Sequence, residues 1–219
     1  MEDRDRESAA HLRSLIEAGG VEPGAFRDAL LRVAPMARDA WVDALLGLGE
    51  LPDDGPDLPR SCVPYLPCPV DALLRMVDQA PVHSSDVFVD VGSGQGRAAA
   101  VVHLLTGASA IGLEIQHHLV AAARALATRL RVSRMSTLHG DATTLAGLVT
   151  TGSVFFLYCP FSGDRLTSFL AALEPVARTR RLRICCVDLP LPPRPWLTLD
   201  PVRAGDPMIY RTDLHAFGE

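Results

Sequence analysis

Three glycines beside a carboxylate make up the part of this chain best suited to bind a ligand through its backbone. Asp90 lies within the apolar run Val87–Val91, and Gly92, Gly94 and Gly96 follow it at every second position. Glycines leave backbone N–H groups accessible, and the first turn of a helix adds further unpaired N–H groups. The order of strand, glycine turn and helix therefore predicts a ligand-binding loop at residues 92–96.

Further candidate residues stand where other predicted strands end. Glu114 closes the second strand about twenty residues after the glycine loop, where a carboxylate can accept hydrogen bonds from both ribose hydroxyls. Asp141 and Ala142 follow the third strand. In an open parallel sheet, ligands bind at the carboxyl ends of the strands where the strand order reverses. The end of the fourth strand is therefore the expected place for substrate contact, through Tyr158, Pro160 and Phe161.

The spacing of the glycines separates two classes of nucleotide-binding loop. A dinucleotide fingerprint requires its third glycine three positions after the second, at residue 97, and this chain has Arg97 there. An NAD(P)-dependent oxidoreductase is therefore the less favoured interpretation. Glu114 does not discriminate, because nicotinamide enzymes share an acid at that position.

The elements that carry these residues follow from the hydrophobic pattern. Residues 1–50 contain three short amphipathic segments, which predict an N-terminal helical cap that packs on the main domain, forms a lid or joins two subunits. Residues 51–69 form a turn- and proline-rich connector. Residues 70–219 alternate between apolar strands and amphipathic helices, which indicates an α/β domain with a parallel sheet.

The predicted sheet is doubly wound and has seven strands. Five parallel strands begin near residues 87, 110, 136, 154 and 183, and a terminal antiparallel hairpin covers 196–199 and 207–214. The segment 190–195 is too rich in proline for a helix. The expected fold is Rossmann-like, mostly parallel, with a C-terminal antiparallel hairpin.

Composition narrows the function classes. The chain has 219 residues, a hydrophobic fraction of 48% and a net charge of −5. This acidic balance disfavours a nucleic-acid partner or a membrane surface. The N-terminus is charged, no apolar run is long enough to span a bilayer, and the five cysteines are odd in number, so we expect a cytoplasmic protein with reduced thiols. The cysteine spacing does not predict a metal site.

The glycine loop resembles the first motif of class I S-adenosylmethionine-dependent methyltransferases. The resemblance covers roughly residues 63–215 and is nearest to the small protein-lysine methyltransferases that lack the SET fold, through the segments 65–67, 90–97 and 112–115. It implies S-adenosylmethionine as the cofactor. The cofactor-binding residues that it implies are Tyr65, Asp90, Gly92, Gly94, Gly96, Glu114, Asp141, Ala142 and Tyr158.

The resemblance also implies roles for single residues. Tyr65 would help to cover the cofactor, Asp90 would face its amino-acid end and Asp141 would take the adenine amino group. The segment 158–161 matches the second half of an amino-methyltransferase motif through Pro160 and Phe161. Tyr158 stands where that motif has an amide or a carboxylate.

The expected activity is methyl transfer to a small molecule or a protein side chain. Tyr158 is the candidate catalytic residue, and His139 or Asp141 lies near enough in sequence to be considered as a base. A catalytically silent cofactor-binding module is the alternative from a different class. The N-terminal helices provide a possible homodimer interface.

Overall fold

The computed structural model describes residues 2–56 and 58–213, so position 57 of the connector and Leu214, the last residue of the predicted hairpin, lie outside the described residues. The strands are β1 (Val87–Val91), β2 (Ser109–Glu114), β3 (Met135–His139), β4 (Val154–Tyr158), β5 (Arg183–Val187), β6 (Leu197–Leu199) and β7 (Met208–Thr212). The α-helices are α1 (Asp3–Glu17), α2 (Pro23–Arg32), α3 (Arg38–Leu46), α4 (Val70–Gln79), α5 (Arg97–Thr106), α6 (His117–Arg129), α7 (Ala142–Leu145) and α8 (Gly163–Thr179).

The seven strands form one sheet in the order β3-β2-β1-β4-β5-β7-β6. The first five strands along the chain pair in parallel, and β7 pairs antiparallel with both β5 and β6. The strand order reverses between β1 and β4. Both halves of the prediction are confirmed, namely the parallel core and the antiparallel terminal hairpin.

The sheet is covered on both faces because its inner strands β1, β4 and β5 are apolar on both sides. On one face, α4 and α5 pack against Phe88 and Phe156, and the same apolar cluster includes Phe26 and Trp41 of the N-terminal helices. On the other face, α8 packs against the strands, with Phe169 in the cluster. The N-terminal helices thus share a core with the helices that flank the glycine loop.

The helix boundaries differ slightly from the predicted ones. The third N-terminal segment begins with a single 3-10 turn at Pro35–Ala37 before α3 starts. The hydrophobic pattern predicts that the eighth helix ends at Val176, whereas α8 extends to Thr179 with Pro175 inside it. Within the described residues, no helix is both long and apolar enough to cross a membrane.

Candidate functional site

The glycine loop is held by hydrogen bonds that its backbone N–H groups donate to the neighbouring strand β2. The N–H groups of Gly92 and Ser93 both donate to the carbonyl of Leu113, at 2.8 and 3.1 Å. The N–H of Gly94 donates to Oε2 of Glu114 at 2.8 Å. Gly92 and Gly94 have φ angles of 74° and 53°, a region that side chains disfavour. These contacts turn the chain sharply at the end of β1 and leave Gly92 exposed at the carboxyl end of the strand.

Two cavities lie at the carboxyl ends of the strands, on either side of Tyr65. The main cavity has a volume of about 220 Å³ and lies between the connector and the ends of β2, β4 and β5. The small cavity has a volume of about 30 Å³ and lies against Asp90 and Ser93. Tyr65, Leu66, Gly92 and Tyr158 line both cavities. Two adjoining volumes of unequal size at the switch point can accept an elongated ligand.

The small cavity contains unsatisfied buried polar atoms. Among the described residues, Oδ2 of Asp90 and Oγ of Ser93 are buried without a hydrogen-bond partner. Burial raises the pKa of Asp90 to about 7, with a smaller contribution from the charge of Glu114, while a backbone hydrogen bond from Ala99 opposes the rise. A buried carboxylate without a full set of partners is costly, so it indicates a position where a ligand donor belongs. A cationic or N–H donor group fits this place.

Glu114 contributes to the site through the backbone as well as through its position. Its Oε1 accepts the N–H of Gln116 at 2.8 Å, and its Oε2 accepts the N–H of Gly94. Burial raises the pKa of the Glu114 carboxyl, and the hydrogen bonds from these two N–H groups oppose the rise. Each carboxylate oxygen keeps a second lone pair for a ligand hydroxyl. Glu114 therefore both fixes the glycine loop through the N–H of Gly94 and lines the main cavity.

Both oxygens of the Asp141 carboxylate already have partners within the protein, which its position in the sequence did not indicate. Its Oδ1 accepts the N–H of Thr143 at 2.9 Å and thereby caps the short helix α7. Its Oδ2 forms an ion pair with Arg165 at 2.6 Å. These partners hold the pKa of Asp141 below its usual value, although partial burial acts in the opposite direction. Asp141 and Ala142 line the main cavity with Arg165.

The residues predicted at the end of the fourth strand lie in the wall of the main cavity. Tyr158, Pro160 and Phe161 all line it, and the connector pairs with this segment through a bridge between Cys62 and Phe161. The N–H of Val63 donates to the carbonyl of Pro160 at 3.0 Å. Burial raises the pKa of Tyr158, with smaller contributions from nearby acidic groups, so its phenol remains protonated at neutral pH.

Two strained residues stand side by side at the ends of β4 and β5. Cys159 and Asp188 have φ angles of 44° and 53°, the left-handed region that residues other than glycine rarely adopt. The Cys159 thiol is 3.2 Å from the carbonyl of Asp188, to which it donates. Both residues line the main cavity, and Asp188 is exposed there. Strain of this kind is often stored at functional sites.

The structure therefore brings most of the predicted site residues together. The main cavity collects the following predicted residues: Tyr65, Gly92, Glu114, Asp141, Ala142, Tyr158, Pro160 and Phe161. Asp90 lies in the small cavity, and a Cβ on Gly94 would overlap the Tyr65 ring.

Three predicted residues line neither cavity, namely Gly94, which the Tyr65 ring covers, Gly96 and His139. Gly96 faces the protein interior, where a Cβ would come within 2.7 Å of Met135 and 3.1 Å of Ala123. His139, one of the two bases considered, is exposed outside the main cavity, and its ring is 3.1 Å from the carbonyl of Ile115.

Sequence reasoning missed several residues that line the main cavity. Asp188 follows β5 directly, so the rule that ligand contacts come after strand ends could have identified it. Gln116 follows Glu114 by two positions. Its side chain binds the connector, accepting the N–H of Gly55 at 2.6 Å and donating to Asp54 at 2.8 Å. Cys62 and Arg165 gave no comparable signal.

Similarity to known proteins is confined to the fold. The sequence matches no protein-family model and has no significant match among curated proteins. The structure is similar to that of MtNAS in complex with MTA and tNA, with a TM-score of 0.53 and 14% identity, covering 65% of this chain and 59% of that one.

Two methyltransferase structures show the same likeness. A candidate caffeoyl-CoA O-methyltransferase from Staphylococcus aureus has a TM-score of 0.50 and 10% identity, and 68% of this chain aligns with 85% of that one. An RNA methyltransferase from Salinibacter ruber in complex with S-adenosyl-L-homocysteine has a TM-score of 0.49 and 23% identity, and 67% of this chain aligns with 92% of that one. The seven-stranded sheet with its terminal antiparallel hairpin gives this chain the Rossmann-like fold of the class I methyltransferases.

Proposed function

We propose that this protein transfers a methyl group from S-adenosylmethionine to an acceptor that enters beside Tyr158. One observation carries the proposal: a buried carboxylate, Asp90, has an unpartnered oxygen next to the glycine loop and a second carboxylate, Glu114. The cofactor has an ammonium at one end and a ribose in its middle. These groups match Asp90 and Glu114 in chemistry and in order along the two cavities.

The binding residues divide according to the parts of the cofactor. Asp90 and the glycine loop would hold the amino-acid end in the small cavity. Glu114 would accept hydrogen bonds from the ribose, and Asp141 with Ala142 would contact the adenine in the main cavity. Tyr65 lines both cavities, so it would cover the join between them. The sulfonium supplies an electrophilic methyl carbon that needs no further activation.

This chain's own residues would then align the acceptor and exclude water. Methyl transfer by in-line displacement needs the nucleophile held close to the methyl carbon and desolvated. Tyr158 stays protonated, so its hydroxyl can donate to or accept from the acceptor but does not act as a base. Pro160 and Phe161 supply an apolar wall.

Among possible acceptors, a protonated amine fits best, on a small molecule or a protein side chain. The exposed carboxylate of Asp188 lies in the same cavity wall as Tyr158 and can attract a cation. An ammonium must lose its proton before its nitrogen can attack. The open side of the main cavity would release that proton to water. This amine preference agrees with the resemblance to non-SET protein-lysine methyltransferases.

We also propose a cytoplasmic location, on the basis of the cysteines. All five cysteines are free thiols, and Cys185 and Cys186 are buried within the central strand β5. Free thiols persist in reducing compartments. The absence of a nucleic-acid partner remains an expectation from the acidic composition.

Calorimetric titration of the full chain with S-adenosylhomocysteine tests the proposal, with NAD as the control ligand. Micromolar binding of S-adenosylhomocysteine without binding of NAD is the expected result. Binding of NAD alone would overturn the proposal. Transfer of tritium from methyl-labelled S-adenosylmethionine to a panel of amines and peptides then distinguishes an enzyme from a silent binding module.

A further inference from the structure

Arg97 is a buried cation whose role neither the glycine motif nor the proposed chemistry explains. It is the first residue of α5, directly after Gly96, and its side chain is 4% exposed. A buried charge is strongly unfavourable unless hydrogen-bonded partners surround it. The groups that bind the Arg97 side chain therefore indicate its role.

Two separate segments, α3 and the end of the connector, converge on this guanidinium. Nε donates to Oδ1 of Asp43 at 2.6 Å, and Nη2 donates to Oδ1 of Asp39 at 2.9 Å, both on α3. Nη1 donates to the backbone carbonyl of Cys68 at 2.7 Å. Asp39 Oδ1 also accepts the N–H of Val70, the first residue of α4. Arg97 thus ties the N-terminal helices and the end of the connector to the start of α5.

Arg97 and Cys68 both line the small cavity, and the bond between them also connects Arg97 with Tyr65, which lines both cavities. Cys68 follows Tyr65 by three residues, and prolines at 64, 67 and 69 restrict the backbone between and around them. The Tyr65 ring lies directly on Gly94, where a Cβ would overlap it. The bond from Arg97 to the Cys68 carbonyl therefore helps to fix the distance between Tyr65 of the connector and the glycine loop.

We propose that Arg97 is a positioning residue for the amino-acid end of the cofactor, acting through Cys68 and Tyr65; this inference rests on the proposed function. It gives the N-terminal helices a task in the site, because Asp39 and Asp43 hold the guanidinium that holds the connector. Loss of Arg97 weakens contacts in the small cavity, where Asp90 lies, more than contacts in the main cavity.

Arg38, on α3, is a matched control. Arg38 forms an ion pair with Asp71 at 2.6 Å, so it also joins α3 to α4, and its side chain is 14% exposed. It does not contact the connector, and it lines neither cavity. Arg38→Met therefore removes a comparable link without changing the position of Tyr65.

The test measures the binding of two ligands to the full-length wild type, Arg97→Met, Arg97→Lys and Arg38→Met. S-Adenosylhomocysteine has the amino-acid end, and 5′-methylthioadenosine lacks it. We expect Arg97→Met to weaken S-adenosylhomocysteine binding about tenfold or more, the size expected for the loss of a buried charged hydrogen bond. The affinity for 5′-methylthioadenosine should change less than about threefold, because the main cavity keeps its contacts.

The other variants decide between positioning and a general structural role. Arg38→Met should leave both affinities unchanged, and Arg97→Lys should recover part of the loss. If Arg97→Met does not fold, Asp43→Asn provides the same comparison, since it keeps the arginine but removes the charge that holds the guanidinium against the Cys68 carbonyl. Unchanged S-adenosylhomocysteine binding in a folded Arg97→Met or Asp43→Asn, or equal weakening by Arg38→Met, overturns the inference. A wild type that binds neither ligand refutes the proposed function itself, and this inference with it.

Discussion

At the scale of single residues, the conformation of Gly94 is the most exacting requirement of the site. Its φ of 53° disfavours any side chain, and the Tyr65 ring fills the space that a Cβ would take. A methyl group there must displace the ring or the loop. The position therefore couples a backbone requirement to the covering of the cofactor.

We predict that Gly94→Ala weakens S-adenosylhomocysteine binding at least about tenfold, because the tyrosine can no longer pack on the loop. Gly205→Ala is the control: it has the same left-handed strain, with a φ of 82°, but open space around it. Calorimetry on both variants measures the difference. Equal affinity of the two variants would show that Tyr65 packing on Gly94 has no role in binding.

The raised pKa of Asp90 leads to a prediction on pH. Burial raises this pKa to about 7, so lowering the pH from 8 to 6 protonates the carboxylate in the free protein. An ammonium ligand prefers the ionised form, and S-adenosylhomocysteine affinity should therefore fall by about tenfold at pH 6. Binding of 5′-methylthioadenosine, which has no ammonium, should stay constant. Calorimetry at several pH values tests this, and parallel curves for the two ligands would contradict it.

The raised pKa of Asp90 also makes the free energy of unfolding depend on pH. The direction of this dependence is opposite to that of an ion-paired acid, whose pKa is lowered. The folded pKa of Asp90 lies above its ordinary value of 3.8, so the folded protein binds the proton more tightly than the unfolded chain. The contribution of Asp90 to the free energy of unfolding is therefore full below about pH 4 and declines as the pH rises towards 7. Asp90→Asn should remove this decline.

At the scale of elements, the connector depends on a glutamine that is distant in sequence. Gln116 lies between β2 and α6. Its side chain accepts the N–H of Gly55 at 2.6 Å and donates to the Asp54 carboxylate at 2.8 Å. Asp54 in turn accepts the N–H of Tyr65 at 2.9 Å. The connector is therefore attached at its first part through Gln116 and at its last part through Cys68.

We predict that Gln116→Ala increases the rate of proteolytic cleavage in the connector and lowers S-adenosylhomocysteine affinity, because Asp54 and Gly55 lose their anchor. His118→Ala is the control, since His118 contacts the carbonyl of Asp53 from an exposed position. Limited proteolysis with mass spectrometry locates the cleavage. Resistance equal to that of the wild type would show that the glutamine does not hold the connector.

Strands β1, β4 and β5 were predictable because each is a short apolar run next to a turn. Val154–Tyr158 and Arg183–Val187 have the predicted bounds, since buried parallel strands need apolar residues on both faces. Contacts between distant segments were not predictable in this way. Arg97 meets Asp39 across 58 positions, and no local pattern encodes such a pair. The partner of Asp141, Arg165, was hidden for the same reason.

At the scale of the whole molecule, the N-terminal helices belong to the same apolar core as the sheet. Trp41 lies in the cluster that joins these helices to α4 and α5, and Trp196 lies in the cluster on the other face of the sheet. They are the two tryptophans of the chain and are almost fully buried. Each can report on one face of the molecule.

We predict that the two faces unfold together. In the single-tryptophan variants Trp41→Phe and Trp196→Phe, the fluorescence of the remaining tryptophan and the far-UV circular dichroism should give coincident urea midpoints within each variant. A separate, earlier transition reported by Trp41 alone would show that residues 2–46 unfold independently of the sheet.

Two of the five thiols line the main cavity, and this makes the site open to direct chemical labelling. Cys62 and Cys159 are half-buried in its wall, whereas Cys68, Cys185 and Cys186 are buried elsewhere. Burial raises the pKa of both cavity thiols, so alkylation by iodoacetamide should be slow at pH 7 and faster at pH 9. Peptide mass mapping should find the label on Cys62 and Cys159 first, and a ligand in the main cavity should protect both. Occupancy of the site can thus be measured before any acceptor is known.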